Sequence, residues 1–309
     1  MTPDQKLGGL VGLLVGDAFG VPYEFHDPRN LPPLDALQPD PPPGFRRSHP
    51  GTPPMTWSDD GAHALALLDV LVTSEGWDAA AFAARLRGWW DRGEFAVDRR
   101  PYDIGNQTSA VLARLEAGVP AAEAGLGGER DNGNGSLMRV LPVALWSPLD
   151  GPALLELAAE TSAVTHAHPR SRLCCAVAVA WARAAAAGRV GAFDRALAQV
   201  EAWCPEAWRA DWEAVLGFGR PRGSGYVVDT LWSARAAVEG AADYADAVRR
   251  AVAFGLDTDT TACVAGGIAG VRFGLDGIPA EWRQRLRGGE ILRPVVRRWL
   301  GEAAAERLG

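Results

Sequence analysis

Lysine is almost missing from this chain. Of 31 lysines and arginines only Lys6 is a lysine, a bias that reads as a property of the source genome rather than of a site. Basic residues are also outnumbered, 31 against 38 acidic ones, which leaves a net charge of −7. That balance argues against a general grip on nucleic acid, which requires a basic surface. It leaves open one small anionic ligand held by backbone N–H groups or by metal ions. Cysteine is sparse. Cys174, Cys175, Cys204 and Cys263 show no C-x-x-C spacing and read as buried, reduced thiols. Long apolar runs are lacking as well. The longest, Leu173 to Ala182, falls well short of the roughly 20 residues that span a bilayer. The stretch Leu7 to Val15 is short, rich in glycine and runs into Asp17, so it is no convincing secretory signal. The expectation is a cytoplasmic monomer with no membrane association.

Period-two alternation is absent too, and β-branched clusters are few. What is present is helical. Ala, Leu, Arg and Glu dominate, and hydrophobic residues make up 48% of the 309 positions, enough for a sizeable core. Helices are expected over Lys6–Phe19, Gly61–Thr73, Asp78–Asp91, Asn106–Ala117, Leu137–Trp146, Pro152–Val164, Arg170–Ala187, Val227–Glu239, Tyr244–Phe254 and Thr258–Phe273. The fold class is therefore all-α, and with neither linker nor internal repeat the whole of 1–309 reads as one domain. Prolines crowd residues 27–54, from Pro28 to Pro54, and exclude regular helix there. So long an irregular stretch is either a lid or a surface connection.

Two acidic clusters stand out, Trp57-Ser58-Asp59-Asp60-Gly61 and Asp257-Thr258-Asp259-Thr260. Each precedes a small-residue or apolar helical run. Taken alone, each is explained by capping and by acids favouring the first helical turn. Together Asp59, Asp60, Asp257 and Asp259 bring four negative charges, which two divalent cations would neutralise if the clusters meet. Carboxylate and hydroxyl oxygens are hard ligands that suit magnesium, manganese or calcium. In the run Ala262, Ala265, Gly266, Gly267, Ala269 and Gly270 the glycines give up helix propensity, which close approach of another backbone would explain. Gly133-Asn134-Gly135-Ser136 stands before an expected helix and is either a phosphate-binding loop or an ordinary turn. His166, in Thr165-His166-Ala167-His168, is open to being a ligand, a base or a satisfied polar residue.

In their order along the chain these residues resemble the ADP-ribosylglycohydrolase family. The resemblance runs through Gly16-Asp17-Ala18-Phe19-Gly20, Pro22-Tyr23-Glu24, Ser58-Asp59-Asp60 and Tyr102-Asp103-Ile104-Gly105. It continues through Gly133-Asn134-Gly135-Ser136-Leu137-Met138-Arg139 and Thr165-His166 to Asp257-Thr258-Asp259-Thr260. It implies an orthogonal helical bundle with a dinuclear magnesium or manganese cleft, and hydrolysis of ADP-ribose from a modified macromolecule. Residue by residue, Ser58, Asp59, Asp60, Asp257, Asp259 and Thr260 match metal ligands. Asp60 is expected to be catalytic as well. Glu24 matches a glutamate on a mobile lid that serves catalysis or metal binding. Asp103 matches an acid beside the ribose in the arginine-type branch, and Gly133, Asn134, Gly135, Ser136 and His166 match regions lining the ADP-ribose cleft.

Two departures stand out. The family's Thr-Asp-Asp-Thr is Ser58-Asp59-Asp60-Gly61 here, and its glycine before the second cluster is Leu256. Serine keeps a hydroxyl, whereas Gly61 loses one and is expected to loosen the site. Both changes are read as tolerable because all four aspartates remain. Arginine-linked ADP-ribose is the favoured substrate, although Tyr23-Glu24-Phe25-His26-Asp27 looks more like the serine-type lid, and nucleobase linkage stays open. Asp103 has a plainer reading as a cap for the helix near Asn106. The rival functions are a non-catalytic ADP-ribose-binding or structural relative, and a terpene-cyclase-like enzyme. The latter wants D-D-x-x-D, and His63 stands at the fifth position.

Overall fold

The computed structural model describes residues 1–308, and among these there are sixteen α-helices and no strand. In chain order they are α1 (Pro3–Gly20), α2 (Asp59–Thr73), α3 (Ala79–Arg92), α4 (Asn106–Glu116), α5 (Ala121–Ala124) and α6 (Leu141–Trp146). Next come α7 (Gly151–Ala163), α8 (Pro169–Ala186), α9 (Ala192–Trp203), α10 (Arg209–Leu216) and α11 (Val227–Glu239). The chain closes with α12 (Tyr244–Val252), α13 (Thr258–Phe273), α14 (Ala280–Arg285), α15 (Gly289–Leu300) and α16 (Glu302–Glu306). None of the described helices is long and apolar enough to cross a membrane.

Helix α1 starts earlier than its apolar pattern suggests, because Thr2 and Gln5 form a reciprocal capping box and Pro3 takes the first helical position. It is buried from Leu7 to Gly20, and α13 is buried from Thr258 to Val271. Helices buried on every side form the centre of a bundle. Their contact explains the glycines. Gly8, Gly12 and Gly16 recur at four-residue spacing on one face of α1, and a Cβ on any of them would strike the backbone of α13 at Gly270, Gly266 and Ala262 respectively. The glycines of α13 thus do serve a close backbone approach, and the matching stripe on α1 is its partner.

The helix expected from Leu137 begins instead at Leu141, and residues 137–139 are turns. The Gly133–Ser136 loop therefore does not abut a helix N-terminus. Helices α5, α9, α10, α14, α15 and α16 lie outside the ranges expected from the sequence. In α15, Pro294 inside the segment argues against helix from sequence alone.

The proline-rich segment is irregular apart from short 3-10 turns at Pro28–Asn30 and Leu34–Ala36. It is tied down at several points. The Tyr23 hydroxyl donates to the Gln38 carbonyl (2.7 Å), Arg249 donates to the Leu37 carbonyl (3.0 Å), and Arg285 pairs with Asp40. Ser48 donates its amide to the Pro22 carbonyl and its hydroxyl to the Glu24 carbonyl.

Candidate active site

The two acidic clusters sit at the N-terminal ends of α2 and α13, and both ends meet the C-terminal part of α1. Ser58 caps α2, its Oγ accepting from the Asp60 amide (3.3 Å). A second cap comes from another helix. The carboxylate of Asp17, on α1, accepts from the amides of Ser58 (3.0 and 3.1 Å) and Gly61 (2.8 Å). Thr258 ties α13 to the end of α1 by donating to the Gly20 carbonyl (2.8 Å). Thr260 spans the clusters, its hydroxyl donating to Asp60 Oδ1 (3.4 Å). Asp257 stands at the cap position of α13 but makes no capping bond with its side chain. Its carboxylate instead accepts from Asn134 Nδ2 (2.8 Å), which also bonds Thr230 (2.9 Å).

Glu24 closes this group. Ligand atoms of Glu24, Asp257 and Asp259 all lie within 4.8 Å of one another, and those of Glu24, His49 and Asp103 form a second such set. His49 Nε2 is 2.7 Å from Glu24 Oε2 and 3.6 Å from Asp103 Oδ1. Asp103 does not cap α4, because Gly105 occupies that place with no side-chain bond. Its backbone is left-handed (φ 64°), as are those of Phe25 (62°) and His49 (49°). Three strained residues around one carboxyl cluster are the kind of cost that functional sites carry.

Burial and mutual repulsion dominate the electrostatics. Asp59, Asp60, Asp257 and Asp259 are all pushed above the ordinary carboxylate range, first by burial. Asp17 is raised to about 7 and Glu24 to about 11, again with burial leading and the neighbouring acids adding. Oδ2 of Asp60 and Oδ2 of Asp259 are buried without any hydrogen-bond partner. Orphaned carboxylate oxygens among so many acids fit divalent cations, which would supply counter-charge and ligand bonds at once. The residues that would hold them are Ser58, Asp59, Asp60, Asp257, Asp259 and Thr260, with Glu24 alongside.

Position 61 is settled by packing. A Cβ there would meet Leu14 (2.7 Å) and Trp57 (2.9 Å), both buried core residues. The glycine thus makes room for the core. Leu256 adopts a left-handed backbone (φ 58°), the region glycine favours.

The acids face a cleft of about 610 Å³ that Glu24, Phe25, Asp59, Asp60, Asp103, Asp257 and Thr260 line together with Gly133, Asn134, Gly135 and His166. Gly135 is required by contact, since a Cβ would lie 2.9 Å from the His166 ring. Arg139, buried, donates to the Gly135 carbonyl (2.8 Å) and to the Thr165 hydroxyl (2.7 Å). That hydroxyl lies 2.7 Å from His166 Nδ1 and has its own proton to give. This arrangement leaves Nε2–H as a donor to the cleft. Burial and the Arg139 charge hold the imidazole neutral. Ser136 lies beneath the wall, buried and bonded by Ser162 (2.8 Å) and Cys175 (3.4 Å). His168 caps α8.

Three site residues have roles the sequence reading did not assign. Asp17 carried a signal, an acid inside an apolar helical run. His49 and Phe25 carried none, because only the tertiary fold folds their segment back over the acids.

The ADP-ribosylglycohydrolase family model matches residues 2–308 of this all-helical bundle with its acid-lined cleft, so the chain belongs to that family and is a hydrolase. It is 31% identical to the ADP-ribosylarginine hydrolase Tri1 of Pseudomonas putida (strain GB-1), over 96% of this chain and 79% of that one. It is 29% identical to the ADP-ribosyl-[dinitrogen reductase] glycohydrolase of Rhodospirillum rubrum, over 92% of this chain and 90% of that one. A solved structure titled ADP-ribosylglycohydrolase-related protein complex superposes with a TM-score of 0.72 at 29% identity, covering 99% of this chain and 97% of its own.

Proposed function

We propose that this hydrolase releases ADP-ribose from arginine side chains of modified macromolecules and uses two divalent cations, magnesium or manganese. One observation carries the reading. Two acidic clusters distant in sequence converge on one cleft, with buried carboxylate oxygens left unpartnered on Asp60 and Asp259 and a further acid, Asp103, at the cleft wall. Bound cations would supply Lewis acidity and positive charge at the ribose oxygens.

The chain's own residues account for the remaining work. His166 Nε2–H and the backbone of Gly133 to Gly135 offer donors to the ADP-ribose moiety. Asn134 orients Asp257 through its 2.8 Å bond. Asp103 accepts from the guanidinium, a planar multiple donor that suits a carboxylate, and is placed to take a proton from the water that forms the C1″–O bond and return it to the guanidine nitrogen as the C1″–N bond breaks. His49 holds Glu24 and Asp103 on one edge of the cleft. The name of the Pseudomonas relative supports arginine as the acceptor.

Parallel assays of arginine- and serine-linked ADP-ribose, with and without magnesium or manganese, test this. The expected result is cation-dependent release from the arginine linkage, lowered by Asp103→Asn. Efficient cleavage of the serine conjugate while the arginine conjugate persists would overturn the acceptor assignment. Full activity in chelator would overturn the cation requirement.

A further inference from the structure

Phe25 is the most solvent-exposed aromatic side chain described, at 69%, and it stands at the cleft directly after Glu24. Holding an apolar ring in water gains nothing for the fold, and the backbone beneath it is strained (φ 62°). The backbone that carries the ring is nevertheless fixed in place. The Phe25 amide donates to the Leu256 carbonyl (2.5 Å), and the Leu256 amide donates to the His26 carbonyl (2.8 Å). Leu256 immediately precedes Asp257, so the backbone at Phe25 is registered to the acidic cluster.

Two further rings continue from it. The Phe25 and His49 ring centroids are 5.7 Å apart, and those of His49 and Tyr102 are 5.3 Å apart. Tyr102 is followed by Asp103. An aromatic row therefore runs beside the carboxyls of Glu24 and Asp103. Aromatic faces attract cations, and carboxylates accept from the edges of a planar donor. A guanidinium has both features, a flat cationic face and N–H groups around its rim, whereas a serine oxygen has neither.

We infer that Phe25 is the acceptor-side platform of the site, stacking on the arginine guanidinium and selecting planar cationic acceptors. The inference rests on the arginine reading above. It makes Phe25 a specificity residue that touches the leaving group and not the ADP-ribose.

The test uses the cation-loaded enzyme with Phe25→Ala, Phe25→Leu and Phe25→Trp. The KM and kcat for an ADP-ribosyl-arginine peptide are measured, together with the affinity for free ADP-ribose and the melting temperature. Phe25→Ala and Phe25→Leu are expected to raise KM about fivefold, since leucine restores bulk but not the aromatic face. Phe25→Trp is expected to keep or improve it, and free ADP-ribose should bind all four proteins alike. A wild-type KM in Phe25→Ala and Phe25→Leu would overturn the assignment while leaving the arginine reading intact. Loss of ADP-ribose affinity in parallel with KM would overturn it too, by placing the ring on the other side of the scissile bond. If the wild type cleaves the serine conjugate and not the arginine one, the arginine reading falls and this assignment falls with it.

Discussion

Phe25 and Leu256 are joined backbone to backbone, the Phe25 amide donating to the Leu256 carbonyl at 2.5 Å, and both residues are left-handed. This join fastens the segment that bears Glu24 to the loop that leads into Asp257. Leucine in the left-handed region costs about 1–2 kcal/mol, while its unfolded chain is less free than glycine's by about 0.4–1 kcal/mol. Leu256 is also partly exposed, so little packing is lost on truncation. Leu256→Gly is therefore expected to leave stability unchanged or to raise it by up to about 1 kcal/mol, whereas Leu256→Ala, which keeps the Cβ, brings no relief. Urea unfolding of the two variants checks this, and a loss above about 1 kcal/mol in Leu256→Gly would refute it.

The α1–α13 contact predicts a sharper effect. A methyl at Gly12 would strike the Gly266 carbonyl, and backbone cannot rotate aside as a side chain can. Gly12→Ala is expected to cost about 3 kcal/mol or more. Gly51→Ala, where nothing lies within 4 Å, is the control and should be neutral within about 0.5 kcal/mol. Similar stabilities for the two variants would show that the helices can separate without penalty.

Removing one buried acid should divide function from folding. Asp60→Ala and Asp259→Ala each delete a carboxylate whose Oδ2 has no partner, and each relieves repulsion among its neighbours. Hydrolysis is expected to fall more than about 100-fold, with the cation-free protein at least as stable as wild type. Turnover and circular dichroism are measured on the same preparations. Near wild-type turnover in both would exclude these acids from the site.

Repulsion also sets a pH dependence. Carboxyls raised in the folded chain keep protons that the unfolded chain has already released near pH 4, so the cation-free protein loses stability as pH rises. The loss runs upward through about 7 for Asp17 and toward about 11 for Glu24. Divalent cations compete with those protons, so their stabilising effect should grow with pH. Melting curves at pH 5, 7 and 9, in chelator and in magnesium or manganese, check the trend. A chelated protein that melts higher at pH 9 than at pH 5 would contradict it.

Much of this was already written in the sequence. Helix-forming composition and the lack of alternation decide an all-α chain, because such signals are local. The ranges Val227–Glu239 and Thr258–Phe273 are readable to the residue. The acids of both clusters are readable as a group, since four aspartates and flanking hydroxyls have one ligand chemistry. Other features depend on contacts between residues far apart in the chain. Asp17 caps α2 only because the tertiary fold sets the start of α2 against α1. Position 61 reads as a lost hydroxyl until Leu14 and Trp57 are seen to fill the space around it. His49 sits in a proline-rich stretch with no periodicity, so nothing local tells that it will reach Glu24. Its place is decided by backbone bonds at Leu256 and Ser48 that fold the segment over the cleft. Local propensity is written residue by residue, whereas a site built from segments scattered along the chain exists only once burial has brought them together.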